Sequence, residues 1–339
     1  MEIRRVGSAL IAAVVLSCAG GRPSGPAPAS SAAPAPSTSP ATATATATAT
    51  SPAAATPAAN SPTAERLAFW KDVHARGDAP PAGADVAALT IELLGYLRSP
   101  DPDVRDRLAY EVLAAWIGRP GLLPPATARE MTSILLARLR ERPAAVGDDT
   151  VFGRSFAALV LAEIAARDIE KPTMSEEELT AMVAAARAYA AAETDLRGRV
   201  EGRGWAHAAA HTADWLRALS RNPRLGRRRG QLVLDAILDL TIRRHGFVLF
   251  DGEDGRLAQP VLDLLRRRHI DTAAFAAWVD KLIAPLRIPF GREFDLGLYA
   301  AQRNARNLAF TLFVQLSLEP KPTRAITDAL AALSAALRG

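Results

Sequence analysis

His207, His211 and Asp214 follow one another at i, i+4 and i+7, in a stretch that also holds Trp205 and the three glycines Gly198, Gly202 and Gly204. On a helix, this spacing puts two imidazoles one turn apart on one face, with a carboxylate on the next turn. Such a set can hold one divalent metal, zinc or manganese, or work as a His/Asp acid–base pair. The structural alternative is a hydrogen-bonded pair of histidines tying adjacent helices, with Asp214 fixing the tautomer. The zinc-protease form does not fit, because Ala208 stands where that motif carries its general-base glutamate.

These positions ask for a helix from about Gly204 to Asn222, stopped by Asn222-Pro223. Trp205, Ala208, Thr212, Trp215, Leu216 and Leu219 fall on its apolar face, and the histidine stripe lies roughly 130° away, toward a groove between helices or toward water. The glycines ahead of Trp205 predict a bend or tight entry loop.

Other segments offer supporting chemistry. Asp103, Arg105, Asp106 and Glu111 crowd one helix start, where the helix dipole and local ion pairs account for them. The sharper reading turns Arg105 or Asp106 inward toward the histidines. Arg154 and Ser155 open another helix; Ser155 lacks the glycine pattern of a nucleophile elbow, so a structural or ligand contact suits the pair. Asp251-Gly-Glu253-Asp254-Gly255 is an acidic turn without the alternating spacing of a calcium loop. Helix capping is its ordinary role, and its other use is as a second source of carboxylates for His207 and His211. In a metal-dependent hydrolase, Glu201 or Glu253 would be the general base for a bound water. Arg224, Arg227 to Arg229, Arg243-Arg244 and Arg266 to Arg268 are either solvated faces or, if side by side, a site for an anionic polymer or lipid headgroups. No phosphate-binding glycine loop or dinucleotide fingerprint is present. With 41 basic and 36 acidic residues the balance is only +5, and no specific nucleic-acid partner is predicted.

The frame for these residues is an all-α domain at the end of a tether. Residues 1–18 read as an export signal: Arg4 and Arg5, then an apolar run from about Ala9 to Leu16 that is too short to span a bilayer. Val15-Leu16-Ser17-Cys18 resembles a bacterial lipoprotein signal, and Cys18, the one cysteine of the 339-residue chain, falls where the lipid is attached. A single cysteine allows no intramolecular disulfide. Ala19 rather than aspartate follows it, which by resemblance to such lipoproteins directs the protein to an outer membrane where one exists. Residues 19–62 are almost wholly Gly, Pro, Ala, Ser and Thr, a disordered spacer spanning roughly 35–40 Å as flexible coil. The expected protein is exported and lipid-anchored in the cell envelope, with the membrane and an unknown ligand or envelope protein as partners.

From Thr63 to the end, a single helical domain is predicted, with twelve segments centred near 64–76, 84–98, 102–117, 126–142, 152–167, 176–194, 204–221, 228–244, 255–268, 272–285, 297–317 and 323–337. Asp101-Pro102, Ser175 with Glu178, and Asp271 give legible helix starts. Only Phe247 to Phe250 looks strand-like. Helix-length segments with short links predict stacked helical hairpins, a HEAT/armadillo-like α-solenoid or an irregular helical bundle.

Five blocks occur in order: Asp101 to Tyr110, Val151 to Phe156, Glu193 to Gly198, Glu201 to Asp214 and Glu253 to Leu257. Together they resemble a bacterial family known as domain of unknown function 2785, over roughly residues 85–318. The resemblance implies a helical-repeat-like fold and a shared site region, and no activity. The reading that follows is a membrane-tethered, non-enzymatic scaffold binding a ligand or protein in a groove lined by His207, His211 and Asp214. A metal-dependent hydrolase on the same residues is the alternative, and anion binding by the arginine runs a second one.

Overall fold

The computed structural model describes residues 62–141 and 146–338. The signal-like segment, Cys18 and all but the last residue of the spacer lie outside the described residues.

The helices come as sequential pairs. The first hairpin joins α1 (Ala64–Ala75) to α2 (Val86–Tyr96), and a π-helical stretch (Asp103–Tyr110) then runs straight into α3 (Glu111–Gly118). Next come α4 (Pro125–Arg138) with α5 (Thr150–Glu170), α6 (Glu176–Ala192) with α7 (Ala208–Arg221), and α8 (Gly226–Thr241) with α9 (Glu253–Arg266). The series closes with α10 (Thr272–Ile283), a 3₁₀ turn (Ala284–Arg287), α11 (Leu296–Ser317) and α12 (Arg324–Arg338). Each predicted segment corresponds to one helix, the third being the π stretch with α3.

Two rows result. In the inner row α3 packs on α5, α5 on α7, α7 on α9 and α9 on α11; in the outer row α6 packs on α8, α8 on α10 and α10 on α12. This is the stacking of helical hairpins expected of an all-α solenoid. Among the described residues, no helix is long and apolar enough to cross a membrane.

Local chemistry explains the helix starts. Ser175 and Glu178 form a complete capping box, and the Asp271 carboxylate accepts from Ala274 N at 2.9 Å. Asp101 accepts from Asp103 N at 2.9 Å. Phe247 to Phe250 is not a strand but irregular chain pinned to α11, with Leu249 N donating to Asn304 Oδ1 (2.8 Å) and Asn304 Nδ2 donating to the Phe247 carbonyl (2.9 Å).

The central helix departs from its predicted start. Gly204 and Trp205 are not helical; they form β2 (Gly204–Trp205), antiparallel to β1 (Arg199–Val200). Gly202 and Gly204 take left-handed φ values of +69° and +74°, which close this small hairpin at little steric cost. The helix begins only at Ala208, so Trp205 does not belong to its apolar face. That helix, α7, has no wet side in its first half: Ala208 to Ala213, His211 included, are all buried. Small side chains let α5 and α9 close on it from both flanks.

Candidate functional site

His207 is the last residue before α7, held in the left-handed region at φ +51°, ψ +35°. Histidine reaches this conformation more readily than most residues, at a cost of the order of 1–3 kcal/mol. His207 N donates to the Arg197 carbonyl at 3.0 Å, and Ala206 N to the Gly198 carbonyl at 2.9 Å, fixing the turn. The imidazole stacks on Trp205 with ring centroids 4.3 Å apart and planes 19° from parallel. It is only 3% exposed, and neither ring nitrogen has a hydrogen-bond partner among the described residues. Burial, followed by the positive field of Arg256, lowers its pKa to about 3, so the ring is neutral at physiological pH.

The residues facing it come from the acidic turn. Gly252, at φ +85°, brings Asp251 and Glu253 round to His207, and Glu253 opens α9. His207 Nε2 lies 3.7 Å from Glu253 Oε1, beyond hydrogen-bonding distance. One ligand atom from each of His207, Asp251 and Glu253 lies within 4.8 Å of the other two. Glu253 is buried, which raises its pKa, and Glu253 Oε2 accepts from Asp251 N at 2.7 Å. Asp251 in turn crosses to the hairpin loop, where a Cβ on Gly198 would collide with its carboxylate. Glycine at 198 is thus what lets the acidic turn close on His207.

His211, one turn into α7, is also buried, with its ring 5.9 Å from that of His207 and edge-on to it. The Ser155 hydroxyl donates to the Ala206 carbonyl, so toward His211 Nδ1, at 2.7 Å, it can only accept. The proton therefore sits on Nδ1, and Nε2 carries the lone pair. Burial lowers the His211 pKa well below the ordinary value, aided by His207, Arg256 and Arg105.

Asp214 is held elsewhere. Arg256 donates to its Oδ2 at 2.8 Å, and burial pushes its carboxyl up to about 6 against that pull. The compact His/carboxylate group among the described residues is thus His207 with Asp251 and Glu253, while His211 pairs with Ser155 and Asp214 with Arg256. The predicted i, i+4, i+7 stripe assumed helical geometry at His207, which its left-handed backbone does not have.

The remaining candidates divide cleanly. Arg105 turns inward and is fully buried, lying 4.1 Å from the Phe152 ring and 4.9 Å from that of Phe156. It donates to the carbonyls of Ser99 (2.9 Å) and Arg203 (2.8 Å) and pairs with Asp106 at 2.7 Å. Burial pushes the Asp106 carboxyl up to about 6. Phe156 then meets His211 edge-on at 4.8 Å, which links this arginine to the histidines. Arg154 grips buried Glu193 through Nε (2.7 Å) and Nη2 (3.1 Å), bracing the loop that carries Asp195 and Arg197. Asp254 accepts from Thr311. Glu201 is exposed at the hairpin tip.

The arginine runs do not form one strip. Arg227 to Arg229 lie at the start of α8 and Arg243-Arg244 just past its end, about 24 Å apart by helix rise. Arg227 pairs with Asp271, Arg229 with Glu176, Arg244 with Asp295 and Arg266 with Glu319.

Sequence reading missed Arg256 and Glu193, though both stand inside the blocks quoted above. It also missed the hydrogen bond from Tyr110 to Glu163 (2.8 Å), two residues 53 positions apart with no motif between them.

Fold and site together define an all-α protein of paired helices with a His/Asp/Glu group, its His207 and Glu253 buried and its Asp251 half-buried, where the starts of α7 and α9 meet. The family model for "Protein of unknown function (DUF2785)" matches residues 135–314, and the chain belongs to that family. Four of the five sequence blocks fall inside this span; Asp101 to Tyr110 precedes it. No curated protein and no solved structure matches the chain.

Proposed function

We propose that this chain is a membrane-tethered helical-repeat scaffold that holds a divalent cation, zinc or manganese, at His207, Asp251 and Glu253, and binds its ligand through that ion. One observation carries the reading. A neutral, buried imidazole has neither ring nitrogen partnered among the described residues, so one lone pair is free for a ligand, and its Nε2 lies 3.7 Å from a buried carboxylate. Leaving one such group unsatisfied costs about 1–3 kcal/mol, which a bound ion would offset. Two ligand atoms each about 2.1 Å from one zinc stand roughly 3.4 Å apart, so a distance too long for a hydrogen bond suits a shared ion. One imidazole with two carboxylates suits manganese as well as zinc. Trp205 orients the ring by stacking on it, and Gly198 admits Asp251.

Attachment through Cys18 and residence in the cell envelope, at the outer membrane where there is one, belong to the same proposal. Their support is the position of the sole cysteine at the end of the apolar run. A second reading is a metal-dependent hydrolase. Three protein ligands leave a coordination position for water, and His211, whose ring lies 5.9 Å from that of His207 with its lone pair on Nε2, would serve as the base.

Elemental analysis of the purified protein, with melting curves in the presence and absence of Zn²⁺ or Mn²⁺, tests the cation. Stoichiometric metal and a raised melting temperature are expected, both lost in His207→Ala and Glu253→Gln. Metal-free protein whose melting neither ion moves, or an equal response in the two variants, overturns the proposal. Metal-dependent turnover of a model ester, falling about a hundredfold in His211→Asn with metal content intact, selects the hydrolase.

A further inference from the structure

Exposed large hydrophobic side chains are concentrated in one place. Of the eleven among the described residues, nine lie between Ile288 and Leu318, in α11, the loop leading into it and the residue that ends it. Leu296, Tyr299, Arg303, Arg306, Phe310 and Phe313 recur at steps of three and four, which makes one exposed stripe along α11. Ahead of it, Phe290 stacks on Phe294 (6.4 Å) and Phe294 leans on Tyr299 (5.6 Å), so these rings pack on one another rather than into the core. The opposite side of the same helix is buried through Leu298, Ala301, Ala305, Leu308 and Leu312.

The stripe also has a one-sided charge. α11 contains no aspartate or glutamate in its 22 residues; its only charged residues are Arg303 and Arg306, both exposed. Contiguous exposed apolar surface of this kind marks an interaction site. Its charge decides what covers it. The loop before α11 adds Arg292 and Glu293, which offset one another, and Asp295, which is paired with Arg244, so the stripe keeps its positive charge and a second copy packed symmetrically would set both arginine pairs against each other. An anionic, apolar-cored surface answers both features: aromatic and aliphatic side chains enter the headgroup boundary, and the guanidiniums meet lipid phosphates.

We propose that the exposed face of α11, with the aromatic loop before it, docks the folded domain onto the surface of an anionic phospholipid bilayer. This contact is independent of the cation site and of any lipid on Cys18.

The test uses the processed chain, residues 18–339, with Cys18→Ser so that no lipid is attached. It is co-sedimented with vesicles of phosphatidylcholine alone and of phosphatidylcholine mixed with phosphatidylglycerol. Binding to the mixed vesicles is expected, weakening steeply with salt. Arg303→Gln and Arg306→Gln should each weaken it about fivefold, the effect of one basic residue at a charged membrane. Phe310→Ser should weaken it further, with the melting temperature unchanged because the side chain is exposed. Failure to bind mixed vesicles, equal binding to both compositions, or undiminished binding by the arginine variants overturns the proposal. So does a dimer in sedimentation velocity that Phe310→Ser dissolves while vesicle binding persists.

Discussion

The two ends of α7, about 21 Å apart by helix rise, both bury polar side chains, yet they are built differently. At its C-terminal end, Asn222 Nδ2 donates to Asp168 Oδ2 at 3.0 Å, and Arg224 donates to the same oxygen. The other oxygen, Asp168 Oδ1, accepts from Thr173 N (2.7 Å) and Met174 N (2.8 Å). Both oxygens of the carboxylate are thus answered from within the chain. At the N-terminal end, His207 is equally buried and equally fixed, by its backbone and by Trp205, but its ring nitrogens are answered by nothing in the described chain. A polar group that only holds the fold together is satisfied by it. Other buried atoms among the described residues lack a partner too, Arg224 Nε at the C-terminal end among them, but His207 has both ring nitrogens unanswered and two carboxylates within reach, and that combination marks the N-terminal end as a candidate for work on something else.

The contrast can be broken at either end. Removing Asp168 from the closed end should have the largest effect: Asp168→Ala leaves Arg224, Asn222 and two backbone N–H groups without their acceptor, and should cost about 3–5 kcal/mol in chemical denaturation, with or without metal. At the open end the effect should depend on metal. Zn²⁺ or Mn²⁺ at a hundred times its Kd should stabilise the parent by about 2.7 kcal/mol, an increment absent in His207→Ala. Because this compares each protein with itself, packing lost in the variant does not enter.

Between the ends lies Glu163 on α5, whose carboxyl burial pushes up to about 7, with Tyr110 O–H donating to it. The folded protein then keeps a proton that the unfolded chain gives up near pH 4.5, so this contribution is complete below pH 4.5 and is lost as pH rises through 7. Glu163→Gln should therefore match the parent in acid and exceed it by about 2 kcal/mol above pH 7, measured by denaturation across that range. The smallest effect sharpens the comparison most. Gly198→Ala forces Asp251 away from His207, and should weaken cation binding about tenfold, or about 1.4 kcal/mol, read by titration calorimetry. An equal loss of stability without metal would place Gly198 in the fold rather than the site.

Much of this was legible without coordinates. Helix periodicity and caps such as Ser175 with Glu178 placed each helix, because those signals are local. The glycine-tryptophan-alanine-histidine block contains His207, and the acidic turn 251–255, named as a second carboxylate source, supplies the Asp251 and Glu253 that face it. Helix periodicity failed at His207, since three glycines and a left-handed backbone broke the helix before that residue. Asp214 was drawn to Arg256, a partner 42 residues away that no spacing rule connects to it.

The sequence by itself determined the helices and their order, because propensity, capping and chain breaks act over a few residues. Only the tertiary structure decided which carboxylates meet His207, that both imidazoles are neutral and enclosed, and which face of α11 is left bare. Those outcomes depend on how α5, α7, α9 and α11 stack side by side. That is a matter of packing between residues far apart in the chain, and it leaves no mark on any short window of sequence.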